Sequence, residues 1–363
     1  MLLRIYAILP LSQFTKLTLI LFMCKENKMK KFINDPFDFV EELTEGIIHA
    51  HPDYYRAENG DLRVIVRQDA PVKGKVAIAT GGGSGHLPVF MGYVGKGLAD
   101  GACIGNVFSS PSAGQMKRVT KAIDSGAGVL YLYGRYQGDM MNFNSAAEES
   151  KQNGIQVETV VVSDDIASAP PEKHDERRGV AGIFFAYKIA GAMADEMASL
   201  DEVKRVTQKA VDNTRSLGVA LGPCTIPLVG KPNFEISDDE MEIGMGQHGE
   251  GGGGRGKILS ADETAKIMFS NLAKAVDLKA GETVYIIING TGATTPMELA
   301  IVFRAAKNCA EAAGAKVAGG IVDELLTVQE MAGFQMILCV ADAEEMRLIR
   351  ARSNAPYWTS LGE

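Results

Sequence analysis

The sequence predicts an α/β protein of two domains, and three observations carry that reading. The chain has 363 residues, a length that fits two domains better than one. Short apolar strand-like runs alternate with helical stretches, the pattern of a largely parallel sheet with crossover helices. Glycine is in excess, 40 of 363 residues against a usual ~7%, and the excess is concentrated in loops between predicted elements.

The elements follow in order. Asp35 can cap a helix that takes Pro36 at its first position, with Phe37, Val40, Leu43, Ile47 and Ile48 at helical spacing. Strand-like runs come at Leu62–Val66 and Val76–Ala79. A glycine loop then leads to an apolar helix expected from Leu87. Further buried strands are predicted at Ala102–Ile104, Val129–Tyr133 and Val157–Val162, alternating with helices at Ala113–Ile123, Phe143–Gln152 and Val180–Met197. Asp165–Arg178, with Pro170 and Pro171, reads as a surface loop. A helix over 201–216 leads to a second α/β unit, with strands at Val219–Leu221, Met241–Ile243, Val284–Ile288 and Met336–Val340. Its helices are expected at about 260–277 and 296–313, the first opened by a capping box of Ser260 and Glu263. The expected domains are 29–212 and 213–363. Residues 1–28 read as a non-native extension or disordered tail, with Met29 the expected start.

Composition narrows the function. The net charge of −8 argues against a nucleic-acid partner, which needs a basic face. The apolar stretch Leu17–Cys24 is too short to span a bilayer, so no membrane association is expected. The five cysteines, Cys24, Cys103, Cys224, Cys309 and Cys339, show no metal-ligand spacing. Four lie in apolar runs, as reduced core cysteines of cytoplasmic proteins do. No metal site is expected.

Three glycine-rich loops carry the chemistry. The first, Thr80–Pro88, contains Gly81-Gly82-Gly83-Ser84-Gly85-His86 and leaves a strand, which puts it where open α/β sheets bind ligands. It lacks the Lys-Ser/Thr of a P-loop, and His86 stands where a serine-hydrolase elbow needs glycine. The second loop, Tyr133–Phe143, brings Asp139 to a helix start. There it is either a helix cap or a carboxylate able to accept a substrate proton. The third, Gly244–Gly256, has eight glycines in thirteen positions around His248. Its Gly-x-Gly-x-x-Gly match is not a dinucleotide site, because Gly251–Gly254 cannot sustain the helix that must follow. Of the five histidines, two stand in these loops.

The string Gly81–His86 resembles the dihydroxyacetone kinase family. So do Gly105-Asn106-Val107-Phe108-Ser109-Ser110-Pro111-Ser112, Gly138-Asp139 with Asn142-Phe143, and Gly244-Met245-Gly246-Gln247-His248-Gly249-Glu250. The resemblance is to the ketose-binding subunit and runs from about Lys30 to the end. It implies a ketose site between two α/β domains. It also implies a covalent hemiaminal on His248, acid/base work by His86 and Asp139, and a ketose-binding loop of Gly83, Ser84 and Gly85.

The same resemblance implies a separate nucleotide-binding subunit that holds ATP or ADP with Mg²⁺, the chain itself binding no cofactor. That subunit is recharged by a phosphotransferase-system protein in some systems. A homodimer is also implied. Two positions depart from the family's pattern. Leu87 follows His86 where relatives often have Glu, and Gly134 stands five residues before Asp139 where relatives have a substrate-contacting Lys. Either the pocket is enlarged for a longer ketose such as erythrulose in place of dihydroxyacetone, or Arg135 takes the lysine's place. A non-enzymatic, ketose-binding regulator is the alternative reading.

Overall fold

The computed structural model describes residues 29–362; the reading of residues 1–28 lies outside them. Two six-stranded sheets organise the chain. The first contains β1 (Tyr55–Glu58), β2 (Asp61–Arg67), β3 (Ala77–Ser84), β4 (Gly101–Val107), β5 (Val129–Gly134) and β6 (Val157–Val162) in the order β1-β2-β4-β3-β5-β6. Strands β3 to β6 are mutually parallel, while β1 and β2 join antiparallel at one edge. The second sheet has the order β11-β10-β12-β7-β8-β9. It is built from β7 (Thr214–Gly222), β8 (Glu240–Ile243), β9 (Gly254–Lys257), β10 (Thr283–Gly290), β11 (Lys316–Asp323) and β12 (Ala332–Val340). Only β10 and β11 pair parallel in it. A hairpin of β13 (Ser353–Ala355) and β14 (Trp358–Ser360) follows.

The helices fill the layers around these sheets. Helix α1 (Phe39–Ala50) covers the β1–β2 edge, packing Val40 and Ile47 on Tyr55 and Ile65. Helices α2 (Ala113–Ile123) and α3 (Gln137–Gln152) lie on one face of the first sheet, burying Met116, Val119, Phe143 and Ala146. Between the two sheets run α4 (Ile183–Asp195) and α5 (Leu200–Asp212). Their core joins Ile78, Leu130 and Val160 of the first sheet to Ile287, Ile337 and Cys339 of the second. Helix α4 is buried along almost its whole length, as a helix apolar on all sides must be. Helices α6 (Ala261–Ala275) and α7 (Pro296–Ala312) cover the outer face of the second sheet, and α8 (Ala343–Arg350) adds Leu348 and Ile349 to the middle layer. The molecule is therefore two α/β domains whose sheets share one helical layer. We propose the division at residues 212 and 213, where α5 ends.

Several expectations need correction. No α-helix starts near Leu87: β3 keeps its strand pairing through Gly81–Ser84, and only a single 3₁₀ turn, Met91–Tyr93, follows before β4. The glycines are there because β4 and its following loop press on this strand; a Cβ on Gly81 would lie 2.5 Å from the Cys103 carbonyl oxygen. The first helix starts at Phe39, not Pro36, because Asp35 accepts from the Phe37 N–H in a preceding turn. The helix expected over 201–216 ends at Asp212, and Thr214 already belongs to β7. The surface loop 165–178 is exposed in its middle, but both ends are anchored: Asp165 and Arg177 are buried. Among the described residues, Cys103, Cys224 and Cys339 are free and buried, and Cys309 is free and half-buried. No described helix is long and apolar enough to cross a membrane.

Candidate active site

The carboxyl ends of β3, β4 and β5 meet two loops of the second domain, and a cavity of about 260 Å³ opens between them. Its lining includes Gly83 and His86 after β3, Phe108 and Ser110 after β4, and Gly134, Tyr136 and Asp139 after β5. The second domain contributes Gln247 and His248 from the β8–β9 loop and Leu326 from the β11–β12 loop. The three glycine-rich loops thus converge on one space, with His86, Asp139 and His248 all facing it.

His86 is held on three sides. Its Nδ1–H donates to the Thr327 carbonyl at 2.8 Å, since a carbonyl can only accept. Its ring stacks on Phe108, centroids 4.8 Å apart, and Phe108 adopts a positive φ of 55° to reach that position. Its Nε2 lies 3.2 Å from Nε2 of His248. The residue is only 5% exposed, and burial, reinforced by His248, pushes its pKa down to about 3. His86 is therefore a neutral imidazole whose Nε2 is an acceptor.

His248 is placed differently. Its ring is 26% exposed and leans on Phe108 and Tyr136 at centroid distances of 4.9 and 5.2 Å. Nδ1 lies 3.4 Å from Oε1 of Glu250, and the His248 backbone N–H donates to the other Glu250 oxygen at 2.8 Å. Glu250 is steadied in turn by Arg178, 3.4 Å away, which also pairs with buried Asp165 at 2.9 Å. Burial alone raises the Glu250 pKa, but the contacts with His248 and Arg178 outweigh it and hold the carboxyl near 2. A carboxylate only accepts hydrogen bonds, so Glu250 favours the His248 tautomer with its proton on Nδ1. In the contact with His86, whose Nε2 carries no proton, the hydrogen must instead sit on His248 Nε2, so the Nε2 lone pair is free for the cavity only once that contact is broken and the proton rests on Nδ1.

Asp139 sits in the first turn of α3 and is buried. It is not the helix cap: Tyr136 occupies that position and no side chain caps the helix. Its Oδ1 has no hydrogen-bond partner. Burial raises its pKa to about 6, against the Ser110 hydroxyl and His248, which lower it. The α3 start is fixed from below by Phe143, whose ring meets Tyr133 edge-on at 4.4 Å, and by Asn142, which donates to the Pro111 carbonyl at 2.9 Å.

Other expected site residues stand apart from the cavity. Ser84 and Gly85 lie behind His86 and line a separate space of only about 10 Å³. Gly85, at φ +98°, gives the backbone the turn that presents His86, and a Cβ there would meet the Phe108 ring at 2.8 Å. Arg135 does not line the cavity either; its guanidinium donates to the Glu176 carbonyl at 3.3 Å. It therefore does not fill the space beside Gly134. Sequence reasoning overlooked Glu250, Arg178, Phe108, Thr327 and Gln247. Glu250 had a signal, the one acid of the glycine-rich loop and two residues from His248; Phe108 and Gln247 stand in motifs that give them no role, and Arg178 and Thr327 are set by the fold alone. Among the described residues no group of three or more His, Cys, Asp or Glu could hold a metal ion.

The Dak1 domain model matches residues 45–357. The chain belongs to the Dak1 family. The dihydroxyacetone-binding subunit DhaK of PTS-dependent dihydroxyacetone kinase 2 from Listeria innocua is 41% identical to this Dak1 chain over 330 residues, 91% of it and 99% of the relative. The L-erythrulose kinase of Pectobacterium atrosepticum is 40% identical over 332 residues, 90% of this Dak1 chain but 56% of the longer relative. Among solved structures, the dihydroxyacetone kinase operon co-activator Dha-DhaQ superposes with a TM-score of 0.81 at 31% identity, covering 88% of this chain and 98% of that one.

Proposed function

We propose that this chain is the ketose-binding subunit of a two-component kinase that phosphorylates dihydroxyacetone or a close short-chain ketose such as erythrulose. The observation that carries this reading is the pairing of His248, its Nδ1 backed by Glu250, with the buried acceptors His86 and Asp139 around one cavity. The relatives named for dihydroxyacetone and erythrulose support the substrate class.

A ketose entering between the two histidines breaks their contact and meets the His248 Nε2 lone pair. Nε2 attacks the carbonyl carbon, the carbon–oxygen π pair moves to oxygen, and a hemiaminal forms. The Nδ1 proton leaves the ring by way of Glu250 and ends on the former carbonyl oxygen, so the adduct is neutral and Glu250 returns to its carboxylate form. A ligand without a carbonyl, such as glycerol, cannot take this step. Asp139, ionised above about pH 6, then accepts the proton of the terminal hydroxyl as it attacks the phosphoryl group, while the neutral Nε2 of His86 helps orient that hydroxyl.

The phosphoryl donor, ATP or ADP with Mg²⁺, is assigned to a separate nucleotide-binding subunit, which either exchanges ATP or is recharged by a phosphotransferase-system protein. A homodimer and a cytoplasmic location complete the reading. Phosphorylation in a mixture of this chain, a nucleotide-binding subunit and Mg-ATP tests it, with dihydroxyacetone, both erythrulose enantiomers and glycerol as acceptors. Ketose phosphate that disappears with His248→Ala supports the kinase. A second reading, a ketose-binding co-activator, is favoured by the likeness to Dha-DhaQ; a chain that binds ketose yet never yields phosphate with any donor would establish it. The presence of Asp139 in the cavity, a carboxylate able to take the hydroxyl proton, favours the kinase.

A further inference from the structure

Besides Asp139 the cavity lining holds two unpaired polar groups, the Tyr136 hydroxyl and the Gln247 amide, and of these only the amide nitrogen is purely a donor, opposite in sense to Asp139. The Gln247 side chain is only 3% exposed and lines the cavity beside His248. Its amide Nε2 has no hydrogen-bond partner. A buried donor left unpaired costs about 1–3 kcal/mol, and native proteins leave few such groups without a use. No protein group satisfies it, although Ser109, Ser110, Tyr136 and Gln137 share the cavity lining. Meanwhile Arg178 and Glu250 are committed to each other and to Asp165 and His248. The amide is also held in place. Gly246 before it lets the Arg178–Glu250 pair lie close against the chain, a Cβ there being 2.1 Å from the Arg178 guanidinium and 2.3 Å from the Glu250 carboxylate.

We propose that Gln247 is a specificity residue whose amide N–H donates to the ketose hydroxyl on the far side of the carbonyl from the one Asp139 receives. This rests on the ketose-kinase reading above. Asp139 accepts from one hydroxyl, His248 bonds the carbonyl carbon, and Gln247 donates to the oxygen of the other hydroxyl. The ligand class is thus an α,α′-dihydroxy ketone, not any small ketone. A ligand with a hydroxyl on one side alone leaves either Asp139 or Gln247 buried and unpaired, and is selected against for that reason.

The test compares dihydroxyacetone with hydroxyacetone, which keeps the carbonyl and one hydroxyl. Binding of each to the chain alone is titrated by calorimetry, for wild type, Gln247→Leu and the near-isosteric Gln247→Glu, which replaces the donor by an acceptor. Wild type is expected to prefer dihydroxyacetone by tenfold or more, on the order of one lost hydrogen bond. That preference is expected to fall toward unity in Gln247→Leu, which neither donates nor accepts, and to survive in Gln247→Glu, whose carboxylate accepts from the same hydroxyl. A merely structural role would weaken both ligands equally and leave the ratio in Gln247→Leu at its wild-type value, and that result overturns the proposal. A wild type that binds the two ketones equally well overturns it too. Wild type that binds neither ketone sinks the ketose reading itself, and this inference with it.

Discussion

The two histidine-bearing loops are made of the same residue type and do opposite things with it. In the first, the glycines lie inside a six-stranded sheet: Gly81–Gly83 are strand residues of β3, and their missing side chains let β4 and the loop after it close on them. His86 at its end is 5% exposed and locked by Thr327 and Phe108. In the third, all the glycines except Gly254 and Gly256 of β9 lie outside regular structure between β8 and β9, and His248 keeps a quarter of its ring exposed. Burial makes His86 a fixed neutral acceptor. Exposure, with a carboxylate behind it, leaves His248 reachable, as the proposed adduct requires. The pair teaches that glycine density alone does not define a ligand loop: missing side chains admit neighbouring backbone in both, as at Gly81 and at Gly252, and what differs is how far each loop leaves its histidine exposed.

Substitutions should separate the two loops. The largest effect is expected from His248→Ala, which removes the attacking nitrogen: ketose adduct and phosphorylation should both vanish, as read by binding titration and product assay. Asp139→Asn should spare ketose binding but lower turnover by about 10²–10⁴, the usual contribution of a general base. In the wild type, turnover should rise as pH climbs through about 6, because the raised pKa of Asp139 leaves it protonated and unable to accept below that value. An acid limb that persists in Asp139→Asn would assign the titration elsewhere. Glu250→Gln removes the charge behind His248 and should weaken ketose binding about tenfold to a hundredfold, the range of a charge-assisted hydrogen bond, with folding unchanged by thermal melting. The smallest effect is expected from Gly246→Ala. The new methyl meets only the ends of the Arg178 and Glu250 side chains, which can swing aside, so binding should fall by a few-fold. A loss as large as that of Glu250→Gln would mean that the loop itself, not the ion pair, positions His248.

Much of the architecture is legible in the residues. Ala113–Ile123 and Val157–Val162 fall where their patterns put them, and the Ser260–Glu263 capping box opens α6 as its spacing requires. The misses have local causes. Strand β11 is hidden because Gly319 and Gly320 interrupt its apolar run. Both are glycines to make room for the rings of Tyr285 and Phe303, 2.6 and 2.1 Å from where a Cβ would lie. Helix α8 carries a readable signal, the capping box of Asp342 and Glu345, that the apolar pattern alone does not reveal. The start of α3 is earlier than the expected Phe143 because Tyr136, Gln137 and Gly138 offer no capping side chain to mark it. For the site, His86, Asp139 and His248 stand out because each lies in a glycine-rich loop. Their meeting cannot be read, since it depends on a stacking contact, a carbonyl and an Arg178 bridge drawn from segments distant in sequence.

The central claim is that His248 forms a covalent bond to a ketose carbonyl. It is tested most directly by carbon NMR of dihydroxyacetone labelled at its carbonyl carbon, bound to the chain alone. A bound resonance in the tetrahedral range that is absent with His248→Ala is the predicted result. A bound ligand whose labelled carbon stays in the carbonyl range, or a tetrahedral signal that survives His248→Ala, would contradict it.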